Sequence, residues 1–295
     1  MQKREKETRK KVKVSQAKIN LFLDIHNKRD DGFHEIETII APITLSDNLS
    51  FKLTDKSEVK VYCTSDSIKE SDNIVYKIAC FLKETYEVQN GVEIKLKKNI
   101  PLAAGLGGGS SNAAQTVNAL NTLWKLNLTE NEIHSIVKRF GSDINFFLSE
   151  HISHLGGRGE RIIQMLPPIS IEYILLVNPG IEISSKNAYS WVVSSSAEEQ
   201  KKKVLVQALH DKDILKIAEN LYNGLEPGVF AHFPIIQEIK IQMKEFGAIG
   251  SLMSGSGSTV FGIFASRDSL DEARKYFKKY NYWFCETKIE EIDDL

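Results

Sequence analysis

A glycine-rich segment carries the most specific chemistry in this chain. It reads PLAAGLGGGSSNAA, starts at Pro101, and lies between a predicted strand and a predicted helix. Glycines allow the backbone to turn its N–H groups inward and allow a ligand to approach closely. The start of the next helix adds an electropositive end, and Ser110 and Ser111 add hydroxyl groups for phosphate or metal. These features are typical of a phosphate-binding loop.

Two common phosphate-binding patterns do not fit this segment. The Walker pattern requires a lysine after the glycines, and none follows here. The dinucleotide pattern requires a third glycine where this chain has Ser110, and later a strand that ends in an acid, where this chain predicts a helix. The segment therefore predicts a phosphate site of another kind, and the alternative is a glycine-rich turn that binds nothing.

Three other segments could take part in chemistry. Lys18 and Asn20 lie on the polar face of an apolar strand, so Lys18 is either functional or guards a sheet edge. Asp143, in the segment GSDIN, is either a reactive carboxylate or a helix cap. The segment Met253–Ser258 is a small-residue turn. Phosphoryl transfer needs phosphate binding, charge neutralisation and a proton acceptor, so the loop, the lysine and the carboxylate together indicate this reaction.

Hydrophobic periodicity predicts the elements that position these residues. Alternation predicts strands at 18–25, 33–43, 49–53, 59–61, 92–96 and 173–177. A polar turn is predicted at 27–32 and another turn at Asp47-Asn48, with Pro42 limited to a strand edge or end. Helical spacing predicts helices from 74 to 82, 113–124, 129–140, 201–221, 235–246 and 270–280. Thr129 and Glu132 form a capping-box pattern. Strands and helices are mixed in both halves, so the fold class is α+β or α/β.

Length and composition narrow the class of protein. The 295 residues carry 38 Lys plus Arg and 39 Asp plus Glu, a net charge of −1, which gives no reason to expect nucleic acid or a membrane surface as partner. The length favours two domains, and Pro167-Pro168 is the best linker candidate. We therefore divide the chain into a basic extension at 1–13 and domains at 14–166 and 167–295. Three scattered cysteines favour a reduced, cytoplasmic location.

The motifs resemble those of the GHMP kinases, which include galactose, homoserine and mevalonate kinases. PLAAGLGGGSSNAA is similar to their phosphate loop and MSGSGSTVFGIF to their third motif. The segments AKINLFLDIHNKRDDGFHEIETI, GSDINFF, GGRGERI, LVNPGIEIS and NGLEP are similar, in order, to motifs of members that act on a cytidyl substrate. The similarity covers residues 15 to 264, and the DGFHE segment selects this branch.

The resemblance implies the fold and the reaction. It implies the α+β GHMP kinase fold, with an ATP-binding N-terminal domain like the second domain of ribosomal protein S5, a left-handed βαβ unit, and a ferredoxin-like C-terminal domain. It implies transfer of phosphate from ATP, with Mg²⁺, to the 2-hydroxyl of 4-diphosphocytidyl-2-C-methyl-D-erythritol in non-mevalonate isoprenoid biosynthesis. The expected partners are these small molecules, without nucleic acid or membrane, for a monomer or homodimer.

The resemblance also implies residue roles. Asp143 would be the general base, and Lys18 would hold that base and neutralise charge. The cytidyl substrate would be bound by Asn20, Phe33, His34 and Tyr189, with stacking of Phe33 and Tyr189 on the cytosine ring. ATP would be bound by Pro101, Gly105, Leu106, Gly107, Gly108, Gly109, Ser110 and Ser111, together with Asn73 and Lys98. The resemblance does not identify the metal ligands.

Departures from the family pattern leave alternatives open. Phe33 stands where the family usually has tyrosine, and Asn145 stands where it has proline. The family's NDLE segment reads NGLE here, with Gly224 in place of the aspartate, which leaves the role of Glu226 undecided. A GHMP kinase for mevalonate or homoserine is a second hypothesis, which the Phe33-His34 pair disfavours. A third is an ATP-binding sensor without catalysis, which the presence of Lys18 and Asp143 disfavours. A nucleic-acid-binding role for the basic extension is the weakest hypothesis.

Overall fold

The computed structural model describes residues 9–149, 151–192 and 198–291. Within these ranges the chain forms eleven strands: β1 (Lys10–Lys28), β2 (His34–Thr54), β3 (Val59–Cys63), β4 (Gly91–Lys97), β5 (Ser153–Gly156), β6 (Arg161–Met165), β7 (Ile171–Asn178), β8 (Tyr222–Asn223), β9 (Ala248–Met253), β10 (Val260–Phe264) and β11 (Trp283–Ile289). The same ranges contain ten α-helices: α1 (Ile74–Thr85), α2 (Gly108–Leu123), α3 (Glu130–Val137), α4 (Phe146–Ser149), α5 (Ser185–Ser190), α6 (Glu199–His210), α7 (Ile214–Glu219), α8 (Glu226–His232), α9 (Pro234–Glu245) and α10 (Arg267–Phe277).

Two structural units divide the chain, and their segments alternate along the sequence. The first unit comprises Met1–Ala17, Ser46–Pro101 and Gly107–Ser149. The second unit comprises Lys18–Leu45, Leu102–Leu106 and Glu150–Leu295. The boundaries therefore fall inside β1 and β2 and on either side of the segment 102–106. The division into domains at 14–166 and 167–295 stays a prediction.

The first unit is organised around β4. Strand β3 pairs with β4 in parallel, from Val59 opposite Val92 to Cys63 opposite Leu96. The end of β2 pairs with the other edge of β4 in the antiparallel sense. Helix α1 connects β3 to β4 and packs against β3 and α2, so these elements form a βαβ unit. Its predicted left-handed crossover stays a prediction.

The second unit contains a four-stranded antiparallel sheet. Its order is β11-β7-β10-β9, so the four strands, numbered along the chain, lie in the order 4-1-3-2 of a ferredoxin-like fold. Helices α9 and α10 pack against this sheet. Apolar side chains from both layers, including Leu175, Ile236 and Phe277, are at most 1% exposed and form one core cluster.

The remaining strands of the second unit carry predicted site residues. The part of β1 from Lys18 onward pairs in parallel with the short strand β8 at Phe22 and Tyr222. The first part of β2 pairs with β5, with Thr38 opposite Leu155. The polar turn predicted at residues 27–32 is confirmed: Arg29 N donates to Phe33 O at 2.7 Å and closes the turn between β1 and β2.

Several local predictions are confirmed and three are wrong. The capping box of Thr129 and Glu132 is present at the start of α3. The predicted turn at Asp47-Asn48 is wrong, because Asp47 is buried inside the continuous strand β2. Pro42 also lies within β2, between the stretches that pair with β5 and with β4, where its missing N–H interrupts neither ladder. The single helix predicted at 201–221 is two helices, α6 and α7, because Lys212 takes a left-handed φ of 55° between them.

Part of the predicted basic extension at 1–13 lies in a strand. Residues 1–8 lie outside the described part of the chain, but strand β1 begins at Lys10. Leu53 N of β2 donates to Arg9 O at 2.9 Å, so backbone pairing draws this basic stretch into the sheet of the first unit. Of the helices that the structure describes, none is both long and apolar enough to span a membrane.

Candidate active site

The glycine-rich segment forms an open helix start in the first unit. Gly107 precedes α2 with a left-handed φ of 69°, and no side chain of the described residues caps the helix. The first N–H groups of a helix have no intrahelical acceptor, and they point toward its electropositive end. A Cβ added to Gly109 would meet no atom within 4 Å. Within the described part of the chain, the helix start therefore has N–H donors and free space at Gly109 that suit an anion, and phosphate binding there stays a prediction.

A buried carboxylate supports this helix start. Asp47 is fully buried, and its Oδ1 accepts hydrogen bonds from the backbone N–H groups of Asn99 (2.7 Å) and Ile100 (2.9 Å). Its Oδ2 pairs with Lys98 Nζ and accepts from Asn112 Nδ2 at 3.0 Å. Asp47 thus links the end of β4 to the first turns of α2. Sequence reasoning missed it because Asp-Asn is a common turn signal.

Three of the predicted ATP-binding side chains are engaged inside the first unit. Lys98 is 8% exposed, and its ammonium lies beside Asp47. Ser111 is 1% exposed and its hydroxyl accepts from Ser15 Oγ at 2.7 Å. Asn73 caps α1 by accepting from Val75 N, while its Nδ2 is a buried donor without a partner in the described structure. Of the two loop serines, Ser110 is the more accessible. The ATP roles of these residues stay predictions.

The predicted general base lies on a short 3₁₀ turn of the first unit. Asp143 is half-buried within Ser142–Ile144, after the end of α3. The neighbouring Asn145 is 2% exposed and its Oδ1 lies 3.0 Å from His134 Nδ1. This contact ties the turn back to α3. Asn145 stands where the resembled family pattern has proline. Its side chain restrains the turn through the contact with His134, whereas a proline ring would restrain the backbone φ.

The predicted catalytic lysine lies in the second unit and is buried. Lys18 is 3% exposed, and its Nζ donates to Asn20 Oδ1 at 2.5 Å and to Gly105 O at 2.6 Å. Asn20 Nδ2 donates in turn to Thr38 Oγ1 at 2.8 Å. This burial is inconsistent with a lysine that only guards a sheet edge, because such a side chain would be solvated. Thr38, which orients Asn20, was missed by sequence reasoning.

The small-residue turn between β9 and β10 contacts the same carbonyl group. We call residues Met253–Ser258 the Ser/Gly loop. Ser254 Oγ donates to Gly105 O at 3.0 Å. A Cβ added to Gly105, whose φ is +74°, would lie 2.0 Å from Ser254 O, so the two backbones approach more closely than a side chain permits. The residues alone predict only a turn here, and the family resemblance identifies the loop as part of the third motif.

Three of the predicted cytidyl-binding residues, Phe33, His34 and Tyr189, carry aromatic rings in the second unit. The rings of His34 and Tyr189 are nearly parallel, 20° apart in tilt, with centroids separated by 5.7 Å. Phe33 is 53% exposed, and the Arg158 guanidinium lies 4.7 Å from its ring centroid. An exposed aromatic surface of this kind can stack on a nucleobase. Arg158, from the GGRGERI segment, was not singled out by sequence reasoning.

The structure thus distributes the predicted residues between two units. The first unit holds Asp143, Asn73, Lys98, Pro101 and Gly107–Ser111, and the second holds Lys18, Asn20, Phe33, His34, Tyr189, Gly105 and Leu106. The Leu106 side chain is 1% exposed, so the contribution of this residue is its backbone, and its carbonyl accepts from Lys18 N at 3.0 Å. Among the described residues, no group of three or more His, Cys, Asp or Glu side chains could hold a metal ion.

Comparisons with known proteins identify the relatives of this chain. The model of the GHMP kinases N terminal domain matches residues 73–151, and the model of the GHMP kinases C terminal domain matches residues 205–282. The chain is 42% identical to 4-diphosphocytidyl-2-C-methyl-D-erythritol kinase of Thermoanaerobacter pseudethanolicus, over 95% of this chain and 97% of that protein. It is 39% identical to the protein of the same name from Clostridioides difficile, over 90% and 91%.

A solved structure extends the similarity to the fold. The crystal structure of a 4-(cytidine 5'-diphospho)-2C-methyl-D-erythritol kinase superposes with a TM-score of 0.78 and 28% identity, covering 94% of this chain and 99% of that chain. The chain therefore belongs to the GHMP kinases and, within them, to the family of 4-diphosphocytidyl-2-C-methyl-D-erythritol kinases. The predicted GHMP kinase fold and family are confirmed.

The network of Asp47 gives a stability prediction. Asp47→Ala leaves Lys98 and two backbone N–H groups without their acceptor, so we expect the free energy of unfolding to fall by about 3–5 kcal/mol. Asp47→Asn keeps an oxygen for the N–H groups and should cost less. Urea denaturation measures both variants, and Asp66→Ala, at an exposed position, is the control, with a change within about 0.5 kcal/mol. A loss for Asp47→Ala no larger than that of the control would contradict the supporting role.

Proposed function

We propose that this chain is an ATP-dependent kinase that phosphorylates the 2-hydroxyl of 4-diphosphocytidyl-2-C-methyl-D-erythritol and releases ADP, in non-mevalonate isoprenoid biosynthesis. The observation that carries this proposal is membership of the family over nearly the whole chain, at 42% identity to a relative of that name. The aromatic group at Phe33, His34 and Tyr189 supports a base-containing substrate over mevalonate or homoserine. The cytoplasmic location stays a prediction.

The phosphate groups of ATP bind at the start of α2. Backbone N–H donors and the helix dipole stabilise negative charge there, and the space in front of Gly109 admits the ligand. The unpartnered Nδ2 of Asn73 supports a hydrogen bond to the adenine nucleoside, since a buried donor is costly to leave unpaired. ATP affinity thus arises from the backbone and from one side-chain amide.

Mg²⁺ is part of this proposal, and the residues present fit it. This ion keeps several waters and binds one or two protein oxygens together with substrate phosphates, so it does not need a cluster of acidic residues. Ser110, half-buried in the first turn of α2, offers a hydroxyl oxygen for it. When bound, Mg²⁺ neutralises charge on the phosphate oxygens.

Asp143 and Lys18 act on the reacting groups. The 2-hydroxyl oxygen bonds to the γ-phosphorus, the bond from that phosphorus to the β–γ bridging oxygen breaks, ADP leaves, and the hydroxyl proton passes to Asp143. The Lys18 ammonium stabilises the negative charge on the transferring group. Its bonds to Asn20 Oδ1 and Gly105 O fix its position before the substrates bind.

A panel of acceptors tests the substrate. Purified protein is incubated with ATP, Mg²⁺ and either the diphosphocytidyl substrate, mevalonate or homoserine, and ADP release is measured. We expect turnover with the cytidyl substrate alone. Turnover with mevalonate or homoserine in its place would refute the proposal, and so would ATP binding without turnover of any acceptor.

Filling the space at Gly109 should weaken ATP binding. Gly109→Ala places a methyl group where an anion would lie, and we expect the KM for ATP to rise about tenfold or more, equivalent to about 1.4 kcal/mol. The melting temperature should not fall, because alanine favours helix over glycine. Thr122→Ala, in the last turn of the same helix, is the matched control for kinetics and melting. An unchanged KM for ATP would argue against phosphate binding at this position.

Removing the proton acceptor should slow the chemical step without weakening ATP binding. Asp143→Asn is expected to lower kcat by about 10²–10⁴-fold, the usual range for a general base. ATP affinity, measured by equilibrium titration, should remain close to that of the unmodified protein, since phosphate binding depends on α2. Ser142→Ala, in the same 3₁₀ turn, controls for disturbance of the backbone. An Asp143→Asn protein with full kcat would exclude Asp143 as the base.

A further inference from the structure

Two buried side chains, Asn223 in β8 and Glu226 at the start of α8, both bind the start of the Ser/Gly loop. Asn223 is 2% exposed, and its Nδ2 donates to both Met253 O (2.7 Å) and Gly255 O (2.8 Å). Its Oδ1 accepts from Leu225 N at 2.9 Å. One amide group therefore connects the NGLEP segment to two carbonyls of the loop that lie two residues apart, and both of its donor hydrogens are used.

Glu226 holds the other side of the same loop residue. It is 9% exposed, and its Oε1 accepts from Met253 N at 2.9 Å, while its Oε2 accepts from Lys240 Nζ at 2.5 Å. Burial raises the pKa of this carboxyl, and Lys240 and the Met253 N–H oppose that shift. Met253 is thus fixed through its N–H by Glu226 and through its C=O by Asn223.

The held loop lies against the predicted catalytic lysine. Ser254 Oγ and Lys18 Nζ both donate to Gly105 O, at 3.0 and 2.6 Å. A Cβ added to Gly255 would lie 3.0 Å from Lys18 Nζ, so the backbone of the loop borders the ammonium directly. A shift of the loop would therefore change the surroundings of Lys18, because Gly105 O and Gly255 would move with it.

We propose that Asn223 and Glu226 are positioning residues that set the place of Lys18 through the Ser/Gly loop. The inference rests on the proposed function, in which Lys18 stabilises the transferring group. A buried ion pair is weak support for stability alone, since apolar residues of similar volume often serve as well or better. Here the buried amide and carboxylate instead hold the two peptide groups that flank Met253, at the entry to the loop. This arrangement gives Glu226, the acidic residue of the NGLEP segment, a role in holding the loop.

Substitutions at Asn223 and Glu226 test the hydrogen bonds. Asn223→Asp keeps the acceptor for Leu225 N but loses both donors to the loop, and Glu226→Ala removes the acceptor for Met253 N. We expect each to lower kcat about 10- to 100-fold, the scale of a displacement of about 1 Å in a catalytic group, with KM values for both substrates changed less than about threefold. Glu226→Gln keeps an oxygen for Met253 N and should restore kcat to within a few fold of the unmodified protein. If Asn223→Asp does not fold, Asn223→Ala replaces it.

A core variant separates positioning from stability. Val229→Ala, a fully buried change in α8, should lower stability in urea yet leave kcat within about twofold, because it removes apolar volume and leaves the hydrogen bonds of Asn223 and Glu226 in place. An equal loss of kcat in Val229→Ala and Asn223→Asp at matched stability would overturn the inference. So would an unchanged kcat in both Asn223→Asp and Asn223→Ala.

A labelling measurement keeps the result independent of substrate turnover. The reaction of Lys18 with an amine-reactive reagent, followed by mass spectrometry, should be faster in the Asn223 and Glu226→Ala variants than in the unmodified protein and in Val229→Ala. If the unmodified protein fails to turn over the cytidyl substrate, the proposed function fails, while faster labelling still supports the positioning of Lys18. Equal labelling in all proteins refutes that positioning.

Discussion

The close approach of Gly105 to the Ser/Gly loop is the constraint on which the second unit's site depends. The added Cβ would lie 2.0 Å from Ser254 O, so no side chain can stand at this position. The approach exposes one carbonyl oxygen, Gly105 O, to both Ser254 Oγ and Lys18 Nζ. The Lys18 ammonium is thereby placed by a backbone carbonyl, whose position is set by the surrounding elements. Asn20 and Thr38 complete the arrangement from two strands.

The first unit solves a similar problem with a charge. Glycine residues lose much conformational entropy when a loop is ordered, so a glycine-rich phosphate loop needs support from outside itself. Asp47 supplies it through the backbone N–H groups of Asn99 and Ile100, just before the loop, and through Asn112 just after the helix begins. In both units, polar groups outside a glycine-rich loop hold its backbone.

The sequence predicted what depends on near neighbours. The capping box at Thr129, the helix after the glycines and the turn before Phe33 depend on residues a few positions apart, and all three are confirmed. The predicted turn at Asp47 was wrong because the groups that stabilise its carboxylate lie about fifty residues away, at Lys98 and beyond. No local pattern reports such partners, and propensity alone favours a turn.

The candidate site follows the same division. Lys18 and Asn20 were identified because a lysine on the polar face of an apolar strand is unusual, and the phosphate loop because its composition is unusual. Thr38, Arg158 and Asn223 have ordinary surroundings in sequence, and each acts on a residue distant along the chain or on another strand. Their functional contacts therefore emerge only when the topology brings the segments together.

The charges of the described site explain how a nearly neutral chain can serve anionic substrates. The Lys98 side chain is 8% exposed and Lys18 is 3% exposed. Lys98 lies beside the Asp47 carboxylate, which cancels much of its field there. The bonds of Lys18 to Asn20 Oδ1 and Gly105 O fix the position of its ammonium. Lys98 is therefore suited to supporting the glycine-rich loop, whereas the part of Lys18 in phosphoryl transfer stays a prediction. Phosphate affinity can then come from helix N–H groups, which add nothing to the net charge.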